Sequence, residues 1–201
     1  MGGPQIDDRP TTDKGRGMMS TVLAVRRVEF QSLVRPVPFL ALPREEIARL
    51  HAAIEVVVVD EGTLPDRAEW LALRSYIVIH HNYSWLTFRG PDDVRTLLLS
   101  VELATDTPAP LFLGDELVES ACGQVERTLG LHGGCEVRLA GLLQCAASAP
   151  DVTTVGLVHV GRLAARGTFD GADCYGNFDI RQARGQFDHL SQVVIDHFPA
   201  L

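Results

Sequence analysis

Lysine is nearly absent from this 201-residue chain: Lys14 is the only one, so arginine carries the rest of the positive charge. Coding bias accounts for that skew without calling on function. Positive charge is also scarce overall. The 18 basic residues face 26 acidic ones, and the net charge of −8 argues against nonspecific nucleic-acid binding, which needs a basic face to displace counterions. A small phosphorylated ligand needs only a few local cations and is not excluded. Cysteine is sparse too. Cys122, Cys135, Cys145 and Cys174 form no C-x-x-C pair and have no histidine at zinc-ligand spacing. Cys122 and Cys145 sit in apolar company and read as small packed hydrophobes, which fits a reducing, cytoplasmic compartment. No apolar run approaches the roughly 18 residues that cross a bilayer, and no signal peptide precedes the first strand. Also missing are a G-x-S-x-G elbow, a Walker A loop, an H-E-x-x-H helix and a G-x-G-x-x-G turn.

What is present reads as one domain with a tail. A 46% hydrophobic and 22% charged composition is ordinary for a globular chain, and the length is enough to bury a core. Residues 1–19 are rich in Gly, Pro and charge without apolar periodicity and predict a disordered tail, with Met18 or Met19 as an alternative start. Residues 20–201 are the expected domain. Thr21–Val28 predicts a strand, Glu45–Ile54 a short helix introduced by Pro43, and Val56–Asp60 a buried strand or an extension of that helix. Ser75–His80 and Ser84–Arg89 predict a hairpin across His81-Asn82-Tyr83. Asp92–Leu99 and Val101–Ala104 continue the sheet or form a short helix and strand, and Thr105–Pro110 is a loop. Further strands are predicted at Glu136–Gln144 and Val155–Leu163. A terminal amphipathic helix is predicted at Gln186–Phe198, with Phe187, Leu190, Val193, Val194 and Phe198 inward.

The most informative stretch is Leu113–Leu131. Leu117, Ala121, Val125 and Leu129 recur every fourth residue as an apolar stripe, Asp115, Glu116 and Glu119 load the first turns, and Gly130 closes the helix. This segment resembles the Nudix box, G-x5-E-x7-R-E-U-x-E-E-x-G-U, with U a bulky aliphatic. Aligned on Gly130-Leu131, the first glutamate becomes Asp115 and the Arg-Glu pair becomes Gly123-Gln124. The paired glutamates become Arg127-Thr128. In the family those glutamates hold the divalent metal that polarises phosphate and activates water. Flanking stretches resemble a subgroup of predicted Nudix-type phosphoesterases in the same order: Val22–Arg27, Arg67-Ala-Glu69, Ser75–Ile79, Trp85–Arg89, then Val155–Gly161 and Phe187–Gln192. The subgroup's glycine-rich entry to the box is replaced by Ser100–Pro110, which has neither glycine nor histidine.

The resemblance implies an α/β (α+β) fold, a Nudix-like α/β/α sandwich with a mixed β-sheet, the box helix on one side and the terminal helix on the other. Its degenerate positions are Asp115, Gly123, Gln124, Arg127, Thr128 and Gly130, with Asp115 the only retained acid, equally readable as a first-turn or capping residue. Glu119 and Glu126 lie two turns apart and are too far separated to share one ion. Arg127, standing where the family places a metal ligand, is a candidate phosphate anchor or a surface arginine paired with acids. His159 shares one strand face with Leu157 and Gly161 and reads as a pocket residue or a satisfied core histidine. Arg89 and Arg67 complete the candidate ligand-binding set. His80 and His81 point to opposite faces and cannot share a metal, while Tyr76, Trp85 and Phe88 read as base-stacking or core residues.

The expected function is a catalytically degenerate Nudix-like domain that binds or senses a nucleotide-derived or phosphorylated small molecule. No cofactor is expected. One alternative is a divergent Mg²⁺- or Mn²⁺-dependent phosphohydrolase of nucleoside diphosphate derivatives that recruits Glu69, Glu102 or Asp106; another is a protein-interaction scaffold. Neither nucleic acid nor membrane is an expected partner, and a homodimer is admitted.

Overall fold

Two long parallel strands form the middle of the sheet, and both alternate apolar side chains to opposite faces. The computed structural model describes residues 21–60, 69–90, 93–101, 115–144, 154–164, 169 and 171–197. Strand β4 (Trp70–His81) runs parallel to β9 (Thr154–Leu163), in register from Ala72↔Thr154 to His81↔Leu163. Beyond β9 lie the antiparallel β8 (Cys135–Leu143) and then β2 (Phe39–Ala41). The other edge of β4 is shared in turn by β1 (Thr21–Arg26), β7 (Leu99–Val101) and β5 (Ser84–Arg89). Three short partners finish the sheet: β3 (Val56–Asp60) on β1, and β6 (Arg95–Thr96) and β10 (Ala172–Gly176) on β5.

The period of two sorts the core into layers. Leu71, Leu73, Val155 and Leu157 face helices α1 (Arg27–Leu33) and α2 (Arg44–Ala53), and further along the same face Ile77, Ile79 and Leu163 meet α3 (Asp115–Leu129). The intervening side chains Val78, Val158 and Val160 pack on the opposite face under α4 (Asn177–Gln182) and α5 (His189–His197). The box helix and the terminal helix therefore lie on opposite sides of a mixed sheet, as the resemblance implies. Ala121, Val125 and Leu129 are its buried stripe, and Gly130 closes it with φ +64°, a conformation in which a side chain would be strained.

Several boundaries differ from the sequence reading. The chain turns into α1 at Arg27 instead of extending the first strand to Val28. Nothing marks that turn locally, since Arg26 gives no side-chain cap and Phe30 is the buried anchor of the helix. The terminal helix starts at His189, after a 3-10 turn at Arg184–Gln186; Phe187 is buried but precedes it, and Phe198 lies outside the described residues. The region after Asp92 forms the two short strands β6 and β7. The expected tail and the Thr105–Pro110 loop lie outside the described residues. Among the described residues no helix is long and apolar enough to cross a membrane.

Candidate functional site

The positions that the resemblance aligns with the box, Gly123, Gln124, Arg127 and Thr128, lie on α3 away from its buried stripe. Gly123 and Gln124 are half-buried, and Arg127 and Thr128 are exposed. One helical turn brings Arg127 onto Gln124: a guanidinium N–H donates to Gln124 Oε1 at 2.8 Å, and Nε donates to the Gly123 carbonyl at 3.3 Å. Two residues that the sequence resemblance aligns with glutamates of the box are thus bonded to each other. Asp115 is the first residue of α3, and the reading of its side chain lies outside the described residues. Among the described residues no three His, Cys, Asp or Glu side chains gather in a group that could hold a metal ion. Glu69 is exposed and its carbonyl accepts from the Arg27 N–H at 2.8 Å; Glu102 and Asp106 lie outside the described residues.

His159 is 1% exposed, between Ile77 and Leu139 on its neighbouring strands. Its Nδ1 lies 3.2 Å from the carbonyl oxygen of Tyr76; a carbonyl only accepts, so Nδ1 carries the proton. Burial pushes its pKa down to about 4, against the upward pull of its bonds to the Tyr76 and Leu157 backbone. Of the two roles the sequence left open, the structure places His159 in the core. Arg89 is exposed at the end of β5 and ion-paired with Asp93 one turn on. Arg67 lies outside the described residues. Arg127, His159 and Arg89 each keep their own local partners, and no hydrogen bond or ion pair links them.

The neighbouring histidines separate as strand alternation demands. His80 packs edge-on against Trp85, and His81 against Phe169 on the other face, where its Nε2 lies 3.0 Å from Asn82 Nδ2. Trp85 is buried and its indole N–H donates to Asn177 Oδ1 at 2.6 Å, while Tyr76 and Phe88 pack against the core clusters. Cys122 is half-buried and donates to the Cys135 carbonyl at 3.2 Å. Burial and Cys122 push the Cys135 thiol up to about 12, the direction opposite to that of a reactive thiolate.

A feature that sequence reasoning missed lies on the other side of the sheet. Arg44, Glu136, Val137, Arg138, Val160 and Arg162 line an open cleft of about 320 Å³. The only signal in the sequence is charge at alternate positions of two strands otherwise built to be buried.

No family model matches the chain, and no curated protein matches its sequence. Among solved structures, the chain is similar to the crystal structure of Tm1382, "a putative Nudix hydrolase", with a TM-score of 0.64 and 14% identity. The match covers 88% of this chain and 97% of that one. At such identity the likeness speaks to architecture, and it agrees with the mixed sheet and its helices on both faces: this chain has a Nudix-like fold.

Proposed function

We propose that this chain is a Nudix-like domain that binds or senses a nucleotide-derived or other phosphorylated small molecule without efficient hydrolysis. The observation that carries this reading is the Arg127–Gln124 bond on the outer face of the box helix. Metal-assisted hydrolysis draws on carboxylates at these positions; here Gly123, Gln124, Arg127 and Thr128 supply none. A guanidinium offers five N–H groups, and the bonds to Gln124 and Gly123 leave others to meet a phosphate. A cation on the side chain takes the place of a cation held by side chains.

The test is a revertant carrying Gly123→Arg, Gln124→Glu, Arg127→Glu and Thr128→Glu. Beyond the helix's own backbone, no heavy atom lies within 4 Å of where a Cβ at Gly123 would stand, so a side chain can start there without a clash. Wild type is expected to bind members of a panel of nucleoside diphosphate derivatives without turning them over. The revertant should gain Mg²⁺ affinity by titration calorimetry, since its carboxylates fall on adjacent turns. Clear Mg²⁺- or Mn²⁺-dependent hydrolysis by wild type overturns the proposal in favour of a divergent phosphohydrolase.

A further inference from the structure

We propose that Arg44, Arg138 and Arg162 form a second anion site, for the phosphoryl group of a small molecule, at the outer edge of β8, with Arg138 and Arg162 on the sheet face opposite the box helix. It is independent of the reading of Arg127, since ligands at the two places would be separate binding events.

Strand register builds the site. Glu136 pairs with Arg162 and Arg138 with Val160 across β8 and β9, so these four side chains project from one face. Arg138 and Arg162 are diagonal neighbours on that face, about 7–8 Å apart at their backbones and within reach of one ligand through long side chains. Val160 belongs to the cluster under α5, which fixes the face as the one away from α3. Arg44 arrives from a third element. The Leu42 N–H donates to the Ala140 carbonyl at 2.9 Å, so the chain leaving β2 runs beside β8 and sets the first residue of α2 at the cleft.

The charge of the cleft is unusual for so acidic a chain. Arg49, Arg89, Arg95 and Arg184 are each ion-paired with a carboxylate, to Glu46, Asp93, Asp173 and Asp196. Arg44, Arg138 and Arg162 have no such pair among the described residues. Among the described residues Glu136 is the one acid in the lining, and although it stands across from Arg162 in the ladder it forms no ion pair with it. The lining is therefore net positive. The next residue along this row adds no anion: His80, beside Arg162 on β4, has a buried Nε2 with no partner.

Like charges gathered against a partly shielded wall repel, and an anion placed among them relieves that repulsion. Guanidinium forks match the paired oxygens of a phosphoryl group, which favours this class over a single-charged halide. A cleft of about 320 Å³ is at the lower end for ligand pockets, with room for a small organic phosphate and not only the bare ion. The net charge of −8 weighs against a polyanion such as nucleic acid.

Inorganic pyrophosphate titrated calorimetrically into the full chain at low ionic strength is the probe. Saturable binding is expected, weakened about tenfold or more in Arg138→Ala and in Arg162→Ala. All three arginines of the cleft are exposed, so the variants should melt close to wild type; Arg162→Gln and Arg44→Gln provide milder versions should an alanine variant misfold. Binding lost in Arg127→Ala but kept in the cleft variants overturns this site and leaves the proposed function standing. Failure of folded wild type to bind pyrophosphate also overturns it, while the nucleotide panel judges the box helix separately.

Discussion

His159 and Tyr76 meet across the central strand pair, the imidazole Nδ1 lying 3.2 Å from the Tyr76 carbonyl oxygen in a site that water does not reach. The bond satisfies the neutral ring and leaves no solvent to stabilise a charged one, so the pKa falls to about 4 from the ordinary 6.5. Above the ordinary value both folded and unfolded chains hold a neutral ring, and stability is full. As pH drops from about 6.5 towards about 4 the unfolded chain takes up a proton that the folded chain refuses, and stability is lost on the order of 3 kcal/mol. His80, held low first by burial and then by Arg162, pulls in the same direction. Denaturant midpoints should fall between about pH 7 and about pH 4.5, and less steeply in His159→Gln. Identical pH profiles for the two proteins would show that His159 is not the group responsible.

Gly123 sits inside α3 with open space where a side chain would begin. A glycine inside a helix costs up to about 1 kcal/mol relative to alanine. Gly123→Ala should therefore raise the melting temperature by roughly 2–4 °C, the shift such a gain produces in a chain of this length. A drop on substitution would show that the space above Gly123 is occupied in solution.

The hairpin between β4 and β5 turns on Asn82 and Tyr83, with φ +53° and +82°, between the paired residues His81 and Ser84. Such a two-residue turn suits asparagine at its first position and glycine at its second. Tyr83 is 89% exposed, so its ring returns little packing for the left-handed backbone. Tyr83→Gly should stabilise the protein by about 1 kcal/mol, whereas Tyr83→Ala, which keeps its Cβ, should not. Equal melting curves for the two variants would remove backbone strain as the explanation.

Gly141 gives the opposite sign. A Cβ there would lie 2.7 Å from the Leu40 carbonyl oxygen and press on the Phe39 ring, where β2 pairs antiparallel beside β8. Backbone cannot yield as a side chain can, and Gly141→Ala should cost about 1–3 kcal/mol in a denaturant titration. An unchanged midpoint would mean that β2 is free to lift away.

Elements whose own side chains declare their period were legible in the sequence. Leu117 to Leu129 marked the box helix, Gly130 its end, and Ser75–Arg89 the hairpin, although His81, read as part of its turn, is the last residue of β4 and the turn is Asn82-Tyr83 alone. Elements defined by their neighbours were not. β10 reads Ala-Asp-Cys-Tyr-Gly, with Asp173 and Cys174 exposed and none of it buried, and is a strand because β5 offers it a free edge; α4 depends on Ile180 reaching the core and Asn177 reaching Trp85. The same holds for sites. Arg127 could be singled out because a family pattern assigns its position a role, but sequence alone leaves it bonded to nothing. Arg44, Arg138 and Arg162 come from three separate elements, and only the cross-strand register and the course of the chain after β2 bring them together.

β2 covers β8 only over Gly141–Leu143, so among the described residues the outer edge of β8 from Cys135 to Leu139 has no strand beside it. An uncovered edge is a template on which a second copy of the chain can add a strand, the first step towards aggregation. Here the extra residue Ala140 breaks the ladder where the coverage ends, and exposed Glu136 and Arg138 put opposite charges along the open part. Any variant that neutralises both charges while leaving Val137 between them would trade solubility for self-assembly, with the fold itself intact.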